Sequence, residues 1–247
     1  MSAVVSSRVA VPREKHVHGI SEICRARQLV GTLGGRFSLE LGIDVDQGAQ
    51  EIERWALAAT LFGNRISTSA ALQTYRVLVQ AGVRTIADAG GCNRGDLVAL
   101  LDAGGYARYD ERTASRLLAL AAAIAERYGG RLAVIGEELG DAEELRAALA
   151  ALPGWGPVTV RAFLRELRGV WRGADIVLDQ RAGVAAHHLQ LPPELDSLSS
   201  LAAAAHLDLR DLEAGLVRLG LSHDLARCPG GEECPFATLD RDQVVRL

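Results

Sequence analysis

Leu152-Pro153-Gly154-Trp155-Gly156-Pro157-Val158-Thr159-Val160 joins two segments that each carry helical spacing. Before it, Leu145, Leu149 and Leu152 recur at i, i+4 and i+7, so Glu144 to Ala151 reads as a helix. After it, Val160, Phe163, Leu164 and Leu167 repeat the pattern on a second helix. Two glycines allow a tight reversal, and Pro157 suits the first position of the second helix. The segment 143–167 is therefore a helix-hairpin-helix. A turn of this kind presents backbone N–H groups at a helix N-terminus, where the helix dipole favours an anion such as phosphate.

Arg161, Arg165, Arg168 and Arg172 follow at spacings of four, three and four, which places them on one helical face. From Arg146 to Arg172 there are five arginines and one acid, Glu166. Such a stripe is either a solvated face or, behind a phosphate-cradling turn, a grip on a nucleic-acid backbone. Spacing alone leaves both open.

The rest of the chain is consistent with a mostly helical protein. Of 247 residues, 49% are hydrophobic, dominated by alanine and leucine, and only 4% are aromatic. No apolar run approaches the roughly 20 residues that span a bilayer. The opening MSAVVSSRVAVPREK lacks the apolar block of a secretion signal, so a soluble cytoplasmic protein without membrane partners is expected. The net charge of -4 counts against nucleic acid unless basic groups are concentrated locally. Four scattered cysteines give no disulfide framework.

In chain order, residues 1–20 read as a loose tail. Helices are predicted at Ser21 to Leu33, Asp46 to Phe62, Ser69 to Ala81, Thr85 to Ala89, Arg94 to Asp102 and Asp110 to Tyr128. Beyond the hairpin pair, further helices are predicted at Gln180 to Leu189, at about Ser197 to His206 and at Leu209 to Leu219. No strand is needed anywhere.

The string LPGWGPVTVRAFL, Leu152 to Leu164, resembles the hairpin of the endonuclease III-like DNA glycosylases, the helix-hairpin-helix (HhH-GPD) superfamily with a downstream aspartate. Ala174-Asp175-Ile176-Val177-Leu178-Asp179 stands where that family has an apolar run ending in its catalytic carboxylate. Gly105-Tyr106-Ala107-Arg108-Tyr109 is similar to the family's GxYxxKA segment. Leu57 to Ser69 resembles its first core helix and DNA-probing loop, and the likeness runs in order from Ile52 to Cys234.

The resemblance implies an all-α, two-lobed fold with a DNA-binding groove between the lobes. Residues 21–50 and 168–247 would form one lobe, and residues 51–167, with the hairpin, the other. It implies a base-excision repair glycosylase acting as a monomer on duplex DNA with a damaged or mispaired base. Asp179 would be the catalytic residue, stabilising positive charge on the deoxyribose and orienting water. An Asp immediately before a helix is also an ordinary N-cap, and one residue can do both. Asp175 is the fallback carboxylate, better suited to an exposed turn.

Bifunctional members carry a lysine at the position of Val158, and this chain's only lysine is Lys15. AP-lyase chemistry by that route is therefore not expected, and water is left as the nucleophile. The adenine-specific branch has a glutamate on its first core helix, but Trp55 to Ser69 contains no acid.

The DNA-binding set implied is Gly154, Trp155, Gly156, Val158, Thr159, Arg161 and Arg165 in and after the hairpin, with Asn64 and Arg65 in the probing loop. Trp155 either packs under the turn or meets the sugar-phosphate backbone. Tyr106, Tyr109 and Trp171 are candidates for stacking on an extruded base, or simply core.

No resident cofactor is expected, apart from a monovalent cation that the resemblance implies on hairpin carbonyls. Cys228 and Cys234 fall where relatives hold a [4Fe–4S] cluster with four cysteines, and two are too few. Zinc at that loop is the lesser alternative, and His187-His188 lacks the spacing of a metal site. The rival functions are a catalytically inactive DNA-binding or repair-scaffold protein and a helical domain that binds only proteins.

Overall fold

The computed structural model describes residues 18–63, 66–106 and 108–236. The expected tail, apart from its last three residues, and the candidates Asn64 and Arg65 lie outside the described residues. Among the described residues the protein is all-α, with no strand, and no helix is long and apolar enough to cross a membrane.

Thirteen α-helices are described. They are α1 (Ile20–Leu33), α2 (Phe37–Glu40), α3 (Ala49–Phe62), α4 (Thr68–Gln80), α5 (Ile86–Gly90), α6 (Arg94–Leu101) and α7 (Asp110–Tyr128). Then follow α8 (Val134–Glu138), α9 (Ala142–Ala150), α10 (Pro157–Arg165), α11 (Gln180–His188), α12 (Leu195–Ala204) and α13 (Leu209–Ser222).

Local chemistry sets most boundaries. The Asn93 side chain accepts Asp96 N–H at 2.9 Å and opens α6. Thr85 and Asp88 form a reciprocal capping box on α5. Asp141 accepts the N–H groups of Glu143 and Glu144 at 2.8 and 3.0 Å at the start of α9. At the far end of α7, Gly129 turns left-handed and Gly130 N–H reaches back to Ile124 O at 3.1 Å, satisfying a terminal carbonyl.

Two short helices were not expected from the sequence. α2 carries no cap of its own. Its first N–H groups, those of Phe37 and Ser38, each bond at 2.8 Å to the carboxylate of Glu166, which is fully buried. The organising acid lies far along the chain, so no local pattern announces α2. α8 is a five-residue turn on Ile135.

Packing falls into two sets. Helices α3 to α7 contact one another, and α8, α9 and α10 continue the series until α10 returns to α3. Helix α1 packs on α12 and α13, and α11 packs on α13. One continuous apolar core joins them, with Trp55, Leu57, Leu61, Phe163, Leu164, Leu201, Leu212 and Leu216 fully buried. Arg210, on α13, clamps Asp46 through both guanidinium ends at 2.7 and 2.9 Å and holds Asp208 at 2.6 Å. That network ties the approach to α3 against α13.

Candidate active site beside the hairpin

The turn between α9 and α10 closes on Trp155 N–H, which bonds to Leu152 O at 3.1 Å. Gly154 sits at φ +81°, a conformation that side chains strain, so the reversal needs glycine there. Gly156 is the N-cap of α10 and offers no side chain as a cap, with Pro157 first in the helix. Val160 N–H bonds back to Gly156 O at 3.1 Å. The N–H groups of Val158 and Thr159 stand ahead of it in the first turn, where a helix leaves donors for solvent or an anion. Gly154, Gly156 and Val158 are exposed.

Trp155 takes the packing alternative. It is buried, its Nε1 donates to Thr60 Oγ1 at 3.0 Å, and its ring meets Phe163 edge-on with centroids 5.0 Å apart. The ring is therefore not a surface contact for DNA. Thr159 is likewise buried, its side chain filling the space that a Cβ on Gly63 would need, so only its backbone faces the turn.

The arginine stripe divides, contrary to both readings of it. Arg172 is exposed and Arg161 is partly so. Arg165 is buried, with its guanidinium over the Phe37 ring at 5.4 Å. Arg168 is buried in an ion pair with Glu213, Nε to Oε2 at 2.9 Å, and donates to Ile176 O at 2.6 Å. α10 ends at Arg165, so Arg168 and Arg172 lie in the turns beyond it and the expected shared helical face does not form.

Asp179 is 7% exposed and serves as the N-cap of α11, its Oδ1 accepting Arg181 N–H at 2.8 Å. Its own N–H donates to Glu213 Oε1 at 3.1 Å, and its Oδ2 lies 3.8 Å from Arg161 Nη1. Asp175 is exposed, as its place in the turn suggests.

Asp179 also lines a cavity of about 450 Å³. Phe37, Trp55 and Phe62 give it an aromatic side; Arg165 and Arg181 add cations, and Val158 and Leu221 are half-exposed on its lining. The aromatic residues pack together, Phe37 to Phe62 at 5.3 Å and Trp55 to Phe62 at 6.0 Å. Pockets with apolar walls and few convergent polar groups suit flat organic ligands.

For two of the three stacking candidates the core alternative holds. Tyr106 is buried with its hydroxyl donating to Leu61 O, and Trp171 packs edge-on to Phe163 at 5.4 Å. Tyr109 lies beneath the Arg112 guanidinium at 5.3 Å. None of the three lines the cavity. Of the aromatic residues that do, Trp55 and Phe62 fall on the helix predicted at Asp46 to Phe62 and Phe37 lies outside every predicted helix; the spacing that buries a ring does not say what remains open beside it.

A second group lies at the far end of α11. His188, His223, Cys228 and Cys234 bring one donor atom each to within 4.8 Å of the others. Burial pushes the Cys234 thiol up, and burial with the nearness of His223 pushes His188 down. The sequence takes His187-His188 and the pair Cys228 and Cys234 as separate features and does not single out His223.

No family model matches the chain, and no curated protein matches it significantly.

Proposed function

We propose that the chain is a monofunctional DNA glycosylase of the helix-hairpin-helix type, hydrolysing the N-glycosidic bond of a damaged or mispaired base in duplex DNA. In this reading the two packing sets are the two lobes of that fold. The observation that carries it is the meeting of Asp179 and Val158, the two positions singled out by resemblance, on the lining of one aromatic cavity.

The hairpin and the open first turn of α10 take a backbone phosphate through the N–H groups of Gly154, Gly156, Val158 and Thr159. Arg161, partly exposed beside Asp179, neutralises a flanking phosphate. Arg165 and Arg181 supply local positive charge that an acidic chain otherwise lacks. The extruded base enters against Phe62, the one ring of this wall that is not buried, with Phe37 and Trp55 packed behind it, and stacking there replaces what the base loses in the duplex. As the base departs with the bonding electrons, positive charge builds on the deoxyribose, and the Asp179 carboxylate stabilises it and orients the attacking water. Capping through Oδ1 fixes the carboxylate, and Oδ2 is the oxygen nearer Arg161. Val158 provides no amine, so no Schiff base forms.

The cation implied by the resemblance would rest on the hairpin carbonyls, among which Leu152 O and Gly156 O already accept N–H groups. No step here draws on it.

The test is base release. Duplexes each carrying one lesion (thymine glycol, uracil or thymine opposite guanine, 3-methyladenine, hypoxanthine, adenine opposite 8-oxoguanine) are incubated with the protein and with Asp179→Asn. The expected result is strand cleavage of at least one substrate only after alkali, lost in the variant while DNA affinity remains. Binding without release from any lesion would replace this reading with a catalytically silent DNA-binding protein.

A further inference from the structure

The quartet at the end of α11 has a geometry that neither packing nor the proposed DNA chemistry requires. His188 is the last residue of α11, and His223 caps the end of α13. Cys228 and Cys234 flank the turn that follows. Three separate pieces of chain thus deliver two imidazoles and two thiols to one point, far along α11 from Asp179.

We propose that His188, His223, Cys228 and Cys234 form a structural zinc site. Tetrahedral zinc holds nitrogen at about 2.0–2.1 Å and thiolate sulfur at about 2.3 Å, so its donors stand roughly 3.3–3.8 Å apart. Cys234 Sγ and His223 Nε2 are already 3.8 Å apart, and no donor pair exceeds 4.8 Å. Side-chain adjustment of about 1 Å closes the set. Two soft thiolates with two imidazoles select zinc over oxygen-seeking magnesium or calcium, and four protein donors leave no open position. Zinc displaces the two thiol protons to solvent, and the two thiolates balance the ion's charge.

Two further observations support a built site. Nε2 of His188 is buried with no hydrogen-bond partner, an arrangement that costs free energy unless something occupies it. The turn is also shaped to close on this histidine. Gly230, at φ +80°, lies so near that a Cβ would stand 2.6 Å from His188 O and 3.2 Å from its Nδ1. Glu232 is drawn outward to Arg25 on α1, Nη1 to Oε1 at 3.4 Å, which leaves the donors to the histidines and cysteines.

The residues do not fit a [4Fe–4S] cluster, which takes four thiolates. Nor do they fit a Rieske-type [2Fe–2S] centre, which holds its two cysteines and two histidines on different irons, whereas here a thiol and an imidazole stand 3.8 Å apart, as on one ion. Cys24 is on α1, Cys92 follows α5, and neither belongs to the group. The loop that resembles the family's cluster loop therefore offers a different donor set. The inference concerns these four residues alone and stands whether or not the protein acts on DNA.

The full chain is purified without chelator, and its zinc and iron are measured by mass spectrometry. The expected result is about one zinc per chain and no iron. Replacing zinc with cobalt should give the visible bands of tetrahedral cobalt and a near-ultraviolet thiolate band. Cys234→Ser and His188→Gln should each lower zinc content at least tenfold, while His187→Gln and Cys92→Ser retain it. If a variant fails to fold, the cobalt spectrum of the unaltered chain decides. Less than a tenth of an equivalent of zinc from zinc-replete growth, no thiolate band with cobalt, or a Cys228–Cys234 disulfide in the purified protein would each overturn the proposal.

Discussion

The carboxylate of Glu213, on α13, holds the backbone N–H of Asp179 at 3.1 Å. The same group is paired with the Arg168 guanidinium at 2.9 and 3.3 Å, and Arg168 also fastens the carbonyl of Ile176. The position of Asp179 is thus set by a buried ion pair that is not itself part of the cavity lining. Removing one partner leaves the other charged and buried, which is worse than removing both. Arg168→Met should cost about 3–5 kcal/mol in denaturant unfolding, while the double variant Arg168→Met/Glu213→Leu should recover part of the loss. A cost below about 1 kcal/mol would show that the pair does not brace this segment.

Val158 permits a gain-of-function test of the proposed chemistry. It is 54% exposed and lines the cavity with Asp179, so a lysine there meets no packed core. Val158→Lys should yield a covalent adduct with DNA containing an abasic site when borohydride is present, whereas the unaltered chain should give none. Absence of the adduct in the variant would mean that the deoxyribose does not come near position 158.

DNA affinity should depend on Arg161 through phosphate charge rather than base identity. Arg161→Ala should weaken binding about equally across sequences and lower the slope of log affinity against log salt by about 1. Trp155→Ala should behave oppositely. It should leave the salt slope unchanged and cost roughly 3–5 kcal/mol of stability, because the ring is buried against Phe163.

The aspartates around Arg210 make stability fall in acid. The Arg210 hydrogen bonds hold Asp46 below its ordinary carboxylate range; at Asp208, burial opposes ionisation but Arg210 and Arg36 outweigh it. A carboxyl held low in the folded state contributes stability above its unfolded value of about 3.9, and that contribution is lost as pH falls through the folded value. The melting temperature should therefore drop between about pH 5 and pH 2, and Arg210→Met should flatten that drop while lowering stability near neutrality.

How far the molecule was legible in its sequence depended on whether the cause was local. Asp179 as the cap of α11, Gly129 at the end of α7 and Pro157 at the start of α10 are fixed by neighbours within a turn, and each stands where spacing placed it. The burial of Arg165 and Arg168 was not readable, because the spacing shows neither that α10 stops at Arg165 nor that Phe37 and Glu213 lie opposite. The cavity wall was hidden for a similar reason: Phe37 is brought to it by Glu166, 129 residues away. The histidine–cysteine quartet was hidden most deeply, since its side chains meet only once α11 and α13 have packed.

The contact between Gly63 and Thr159 has a mechanical consequence. With no side chain on Gly63, the end of α3 rests directly on the first turn of α10, and Thr159 is wedged against it. The hairpin cannot tilt without carrying α3, and α3 supplies two of the cavity's aromatic rings. Whatever enters against those rings meets the hairpin and α3 as one unit, so the rate of engagement should follow the pliability of the incoming molecule more than movement between these two elements.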